Sequence, residues 1–158
     1  DLHYPLRRQR QMCIRDRGCM EEVLVNEELA WGDPGFATAA YATALACAPL
    51  ITGATEEQKE IWLRRVAEEG HLASYAVTEP GAGSDVAACK TTATLDGDEY
   101  VINGRKWWTS GILDRRCKIL IFMGKTDPAA EKHKQQSMIL VPVDTKGITI
   151  NRALTVFG

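Results

Sequence analysis

Two stretches of the chain combine residue types that could do chemistry. The first is Tyr75-Ala76-Val77-Thr78-Glu79-Pro80-Gly81-Ala82-Gly83-Ser84-Asp85. An apolar, strand-like run leads into a loop where Pro80, Gly81 and Gly83 leave the backbone exposed. Successive N–H groups and the hydroxyls of Thr78 and Ser84 can then converge on an anionic or polar ligand. The same residues also suit a tight loop whose Thr, Ser and Asp satisfy their own backbone. The second stretch is Trp107-Trp108-Thr109-Ser110-Gly111. On a strand the two indoles point to opposite faces, so one ring enters the core while the other, sharing its face with Ser110, lies over a flat ligand. Two packed core tryptophans are the plainer alternative. Glu79 and Asp85 are carboxylates in the first loop, yet Glu79 precedes a proline in a dense turn. It is read as an acceptor of loop N–H groups, and neither residue is assigned catalysis.

Other motifs fail on spacing. Gly81-Ala82-Gly83 is followed by Val86 where a dinucleotide fingerprint needs Gly or Ala. Gly124-Lys125-Thr126 has Ile119 in place of the first glycine of a phosphate-binding loop. His3, His71 and His133 sit near neither a GxSxG elbow nor an HExxH helix. Five cysteines form no CxxC pair, which predicts reduced structural thiols and no metal site.

The elements that must position these stretches follow from periodicity. Helical spacing from about Met20 to Trp31 is broken at Gly32-Asp33-Pro34-Gly35. An Ala-rich helix is predicted over about 36–47, ending before Pro49. Thr55-Glu56-Glu57-Gln58 is a capping box opening a third helix that ends near Gly70. Beyond Gly70 the period changes to two, predicting strands at 72–77, 91–95, 100–102, 105–109, 119–123, 138–143 and 148–150. Asp96-Gly97 and Asn103-Gly104 predict hairpin turns and hence antiparallel pairing. Residues 126–136 are expected to form a solvated loop between strands.

The expected layout is therefore α+β. Residues 1–19 form an unassigned Arg-rich tail, either solvated or foreign to the domain. Residues 20–70 form a partial helical domain, and residues 71–158 an antiparallel β-barrel or sandwich. Nineteen Lys+Arg against 21 Asp+Glu, a net charge of −2, supply no basic field for nucleic acid. The longest apolar runs, such as Ile119–Met123, fall short of the roughly 20 residues of a membrane span, so no such span is expected.

Together the two stretches resemble the acyl-CoA dehydrogenase family of flavoproteins: Y-A-V-T-E-P-G-A-G-S-D matches its signature loop nearly word for word. Gly53 to Lys59 is similar to the family's G-x-x-x-Q-K helix start, Gly97 to Lys106 to its strand pair, and Trp108-Thr109-Ser110 to its W-I-T segment. The resemblance spans about 20–158 and is greatest to the subgroup of family members ten and eleven. It implies a helical N-terminal domain, a middle β-domain and a C-terminal helical bundle lying outside this chain. It also implies FAD-dependent α,β-dehydrogenation of an acyl-CoA thioester, with the chain supplying a flavin-side wall.

Carried over by position, Tyr75, Val77 and Thr78 border the flavin ring, and Gly83 and Ser84 approach its pyrophosphate or the acyl-CoA arm. Trp108 flanks the ring, and Thr109 and Ser110 lie beside it, with Ser110 near N5. The family's base comes from the C-terminal bundle, so no catalytic residue is assigned in this chain. The resemblance further implies an electron-transferring flavoprotein as acceptor and a homodimer or homotetramer. The compartment would be the cytoplasm in a bacterium, or the mitochondrial matrix or peroxisome in a eukaryote. The alternative functions are a non-catalytic β-domain that binds acyl-CoA or a protein, and a related acyl-CoA oxidase or flavin monooxygenase.

Overall fold

The computed structural model describes residues 19–155, which fall into two compact units meeting at Ala73/Ser74. The Arg-rich tail and the last three residues lie outside the described residues. The first unit is helical: α1 (Cys19–Gly32), α2 (Pro34–Gly53) and α3 (Glu56–Glu68). Asp33 caps α2, its carboxylate accepting the Phe36 N–H at 2.9 Å, with Pro34 in the first helical position where its missing N–H costs nothing. Both bonds of the expected capping box form on α3: Gln58 N–H to the Thr55 hydroxyl at 3.2 Å, and Thr55 N–H to the Gln58 side chain at 3.0 Å.

The helix α2 departs from expectation by running through Pro49 to Gly53. Proline removes one hydrogen bond in the last turn, while Leu50, directly after it, is fully buried and holds that turn in place. At 20 residues α2 is also long and apolar enough, by length and composition alone, to cross a membrane. The expectation that no segment reaches that length is therefore corrected. Of its apolar residues Ala37, Ala46, Cys47 and Leu50 are buried, while Phe36, Leu45 and Ile51 are exposed.

The second unit is a five-stranded sheet of β1 (Leu72–Ala76), β2 (Thr92–Asp96), β3 (Glu99–Asn103), β4 (Cys117–Lys125) and β5 (Gln136–Pro142). The Asp96-Gly97 turn forms as expected, with Gly97 at φ 61 between the paired Asp96 and Glu99. The sheet is mixed where antiparallel pairing was expected. β4 pairs with β5 antiparallel from Ile119↔Pro142 to Lys125↔Gln136, but meets β2 in parallel at Thr92↔Lys125.

That parallel contact follows from a second correction. Residues 105–109 form no strand, so Asn103-Gly104 is no hairpin turn. After β3 the chain makes a long excursion over 104–116 and returns as β4 in the direction of β2. The expected strand at 148–150 is also absent, although Ile148 still packs on the core of Ala76, Ala93, Leu120, Phe122 and Val141. Side chains on both faces of β4 are buried, Leu120 and Phe122 on one and Ile119 and Ile121 on the other.

Candidate functional site

The signature loop begins where β1 ends. Glu79 and Ala82 exchange backbone hydrogen bonds, Glu79 N–H to Ala82 C=O at 3.0 Å and Ala82 N–H to Glu79 C=O at 3.1 Å. The turn is thus closed on itself, and those two N–H groups are not available to a ligand. Gly83, Ser84 and Asp85 follow on the surface, and among the described residues their N–H groups donate to no backbone or side-chain acceptor. A Cβ added at Gly81 or Gly83 would meet open space. The hydroxyls of Thr78, Ser84, Thr109 and Ser110 likewise have no partner among the described residues.

Glu79 is the buried centre of the loop. Its carboxylate accepts from Lys90 N–H at 2.7 Å, Thr91 N–H at 3.1 Å, the Thr91 hydroxyl at 2.6 Å and the Lys106 ammonium at 2.8 Å. Burial alone would push its carboxyl up, but these hydrogen bonds outweigh it, Lys106 foremost, and hold the pKa at about 2. Glu79 is therefore ionised and fully occupied, as expected of a structural acceptor. Lys106 was not singled out in the sequence. A buried carboxylate demands a cation, but several lysines and arginines qualify, and only the fold selects one.

Lys106 lies opposite the loop because of Gly104. At φ 151 a Cβ there would come within 2.1 Å of the Thr91 side chain. Glycine lets the backbone press onto Thr91 and brings the next residues over Glu79. Lys106 also donates to the Val77 carbonyl at 2.9 Å, and Trp107 N–H donates to the Thr78 carbonyl at 2.8 Å. Its ammonium stands 5.1 Å from the centre of the Phe122 ring.

The opposite-face expectation for the tryptophans is overturned. With no strand present, Trp107 and Trp108 lie side by side, ring centroids 5.5 Å apart and planes 30° apart, and both are exposed, at 40% and 47%. Trp108 has a φ of 55, rare for so bulky a residue. The strain is held from both sides. Trp107 is bonded to Thr78, while the Ser110 carbonyl accepts the Ser74 hydroxyl at 2.9 Å, next to the buried Cys117 thiol. Burial pushes that thiol's pKa up.

The Trp107–Thr78 bond thus brings Thr78 beside the segment that carries the two exposed indoles. Tyr75 stands on the sheet itself, its hydroxyl 3.8 Å from the Met138 sulfur. Gly83 and Ser84 are exposed, and the turn after them is tied to β5 by Gln136, whose side chain donates to Ala87 C=O at 3.3 Å. Among the described residues no metal-binding cluster is found. The unpaired hydroxyls of Thr78, Thr109 and Ser110 on the segments joined at the exposed indoles suit a flat, polar-edged aromatic ligand, and that set fits a flavin.

Models of the N-terminal and middle domains of acyl-CoA dehydrogenase match residues 13–70 and 74–158. The chain belongs to the acyl-CoA dehydrogenase family. It is 51% identical to a probable acyl-CoA dehydrogenase, FadE2, of Mycobacterium tuberculosis, over 73% of this chain and 30% of that protein. It is 53% identical to mouse acyl-CoA dehydrogenase family member 10, over 69% of this chain and 10% of that protein. Among solved structures, an acyl-CoA dehydrogenase from Geobacillus kaustophilus superposes with a TM-score of 0.68 at 35% identity, covering 84% of this chain and 35% of that one. An FAD complex of PigA does so with a TM-score of 0.65 at 28% identity, covering 72% and 29%. The chain thus spans a third or less of the two relatives named.

Proposed function

We propose that this chain supplies the flavin-side wall of an FAD-dependent acyl-CoA dehydrogenase. The observation that carries this is the 2.8 Å bond from Trp107 N–H to the Thr78 carbonyl, which joins the signature loop to the indole pair. The FAD complex of a structural relative supports the choice of cofactor. FAD, when bound, supplies the hydride acceptor for the β-carbon of the thioester. The chain's own residues hold and orient. The Thr78 and Ser110 hydroxyls are placed to donate to the ring's polar edge, and Trp108 covers its face and excludes water. Tyr75, Val77 and Thr109 border the ring, while Gly83 and Ser84 present N–H groups and a hydroxyl to a pyrophosphate or the acyl-CoA arm.

Glu79 cannot serve as the base that removes the α-proton, because four donors already occupy it. No residue of this chain is proposed as that base. An electron-transferring flavoprotein as acceptor and assembly into a dimer or tetramer complete the proposal. The test is to measure FAD affinity and flavin absorption of the full-length protein. Trp107→Ala and Trp108→Ala are both expected to weaken FAD retention, since the two rings lie side by side and exposed. A colourless wild-type protein with no measurable FAD affinity would sink the reading.

A further inference from the structure

We propose that Lys106 is a positioning residue that sets the register between the Thr78 hydroxyl and the Trp108 indole, a role that rests on the flavin-wall reading above. Three consecutive residues of the loop are gripped by two consecutive residues of the indole segment. The Lys106 ammonium holds the Val77 carbonyl at 2.9 Å, Trp107 N–H holds the Thr78 carbonyl at 2.8 Å, and the same ammonium holds the Glu79 carboxylate at 2.8 Å. Thr78 is therefore clasped on both sides and at its own carbonyl, leaving its side chain as the free group. The clasp is dry: Lys106 and Glu79 side chains are 10% and 6% exposed.

A dry clasp has few alternative geometries. Moving the ammonium would strand the Glu79 charge, whose other three bonds come from Lys90 and Thr91. Those bonds tie the carboxylate to the start of β2, and the Gly104 contact with Thr91 fixes the approach of the indole segment to the same residue. At the far end, Ser74 holds the Ser110 carbonyl. Between these two anchors lies Trp108, in its unfavourable backbone conformation. Cutting the Lys106 anchor lets Trp108 relax, which moves its indole relative to the loop while leaving both residues present.

The experiment compares the full-length wild type with Lys106→Met and with the double variant Glu79→Leu/Lys106→Met, which replaces the buried pair by apolar groups of similar size. FAD affinity is measured by titration, stability by thermal melting, and indole geometry by the far-ultraviolet exciton signal of the stacked tryptophans without flavin. The double variant is expected to recover the melting temperature lost in Lys106→Met, yet to bind FAD roughly tenfold or more weakly than wild type and to show a diminished exciton signal. Recovery of wild-type FAD affinity and exciton signal together with stability would overturn the proposal, reducing Lys106 to a purely structural residue. Failure of the wild type itself to bind FAD would instead sink the flavin reading, leaving the exciton comparison to decide whether Lys106 places the indole.

Discussion

The two units use the same chemistry in opposite surroundings. On α3 of the helical unit, Arg64 bridges Glu60 at 3.3 Å and Glu68 at 2.9 Å, and Lys59 meets Glu56 at 2.8 Å, all at the surface. In the β-unit, Lys106 meets Glu79 at the same 2.8 Å, out of water and among three further donors. Exposed pairs exchange one solvated state for another and decide little. The buried pair has no water to fall back on, so each partner makes the other obligatory. Surface apolar residues repeat the contrast. Trp31 on α1 is 91% exposed and has no strained backbone, whereas Trp108 is held at φ 55 between two anchors. Distance alone does not rank an interaction; burial and the number of shared partners do.

The largest expected effect lies at the buried pair. Glu79→Gln should destabilise the β-unit by about 3–5 kcal/mol, because the Lys106 ammonium stays buried without its counter-charge. Amide hydrogen exchange, which follows each unit separately, should show faster opening of β1 and β2 and no change in α3. Acid sharpens the same contrast. The pKa of Glu79 lies at about 2, below the usual 4.5, so its contribution is present above pH 4.5 and is lost as pH falls toward 2. That loss amounts to something on the order of 3 kcal/mol. The β-unit should open in this window, and Glu79→Gln should remove the pH dependence.

Gly104→Ala should cost about 2–3 kcal/mol through its collision with Thr91, measured by denaturant unfolding. Thr55→Ala should cost about 1 kcal/mol, confined to the exchange rates of the first turn of α3. Gly53, at the end of α2, has nothing within 4 Å of an added Cβ and no positive φ. Gly53→Ala should therefore stabilise the helical unit by roughly 0.5 kcal/mol. Smallest of all, Glu60→Gln should leave the melting temperature of the helical unit unchanged. A clear drop there would show that surface pairs matter in this protein and would erase the contrast.

Local rules made much of the molecule legible. Thr55 to Gln58 mark a helix start because capping is settled within four residues, whereas Asp33-Pro34, read as a break, also caps α2; Gly97 marks the expected hairpin turn that formed. The signature loop was visible as a motif, and Glu79 was legible as an acceptor because a carboxylate beside Pro80 has little else to do. The Asn103-Gly104 dipeptide misled. The same positive φ that makes a hairpin turn here permits close packing on Thr91, and a dipeptide carries no information about which neighbour lies beside it. The strand expected at 105–109 failed for a related reason. Arg105 to Thr109 alternate plausibly, but the segment spends its backbone groups on Thr78 and its lysine on Glu79.

By itself, then, the order of residues determined the three helices and the capped start of α3, the family and the candidate residues, since each is written in a few adjacent side chains. Tertiary structure alone decided that β4 runs parallel to β2, that the two indoles lie together on one surface, and that Lys106, among many cations, neutralises Glu79. Those outcomes depend on which distant segments share a dry interior, where an unpaired charge or a stray methyl group costs several kcal/mol, roughly. Such penalties arise between residues far apart in the chain and so leave no mark on local spacing.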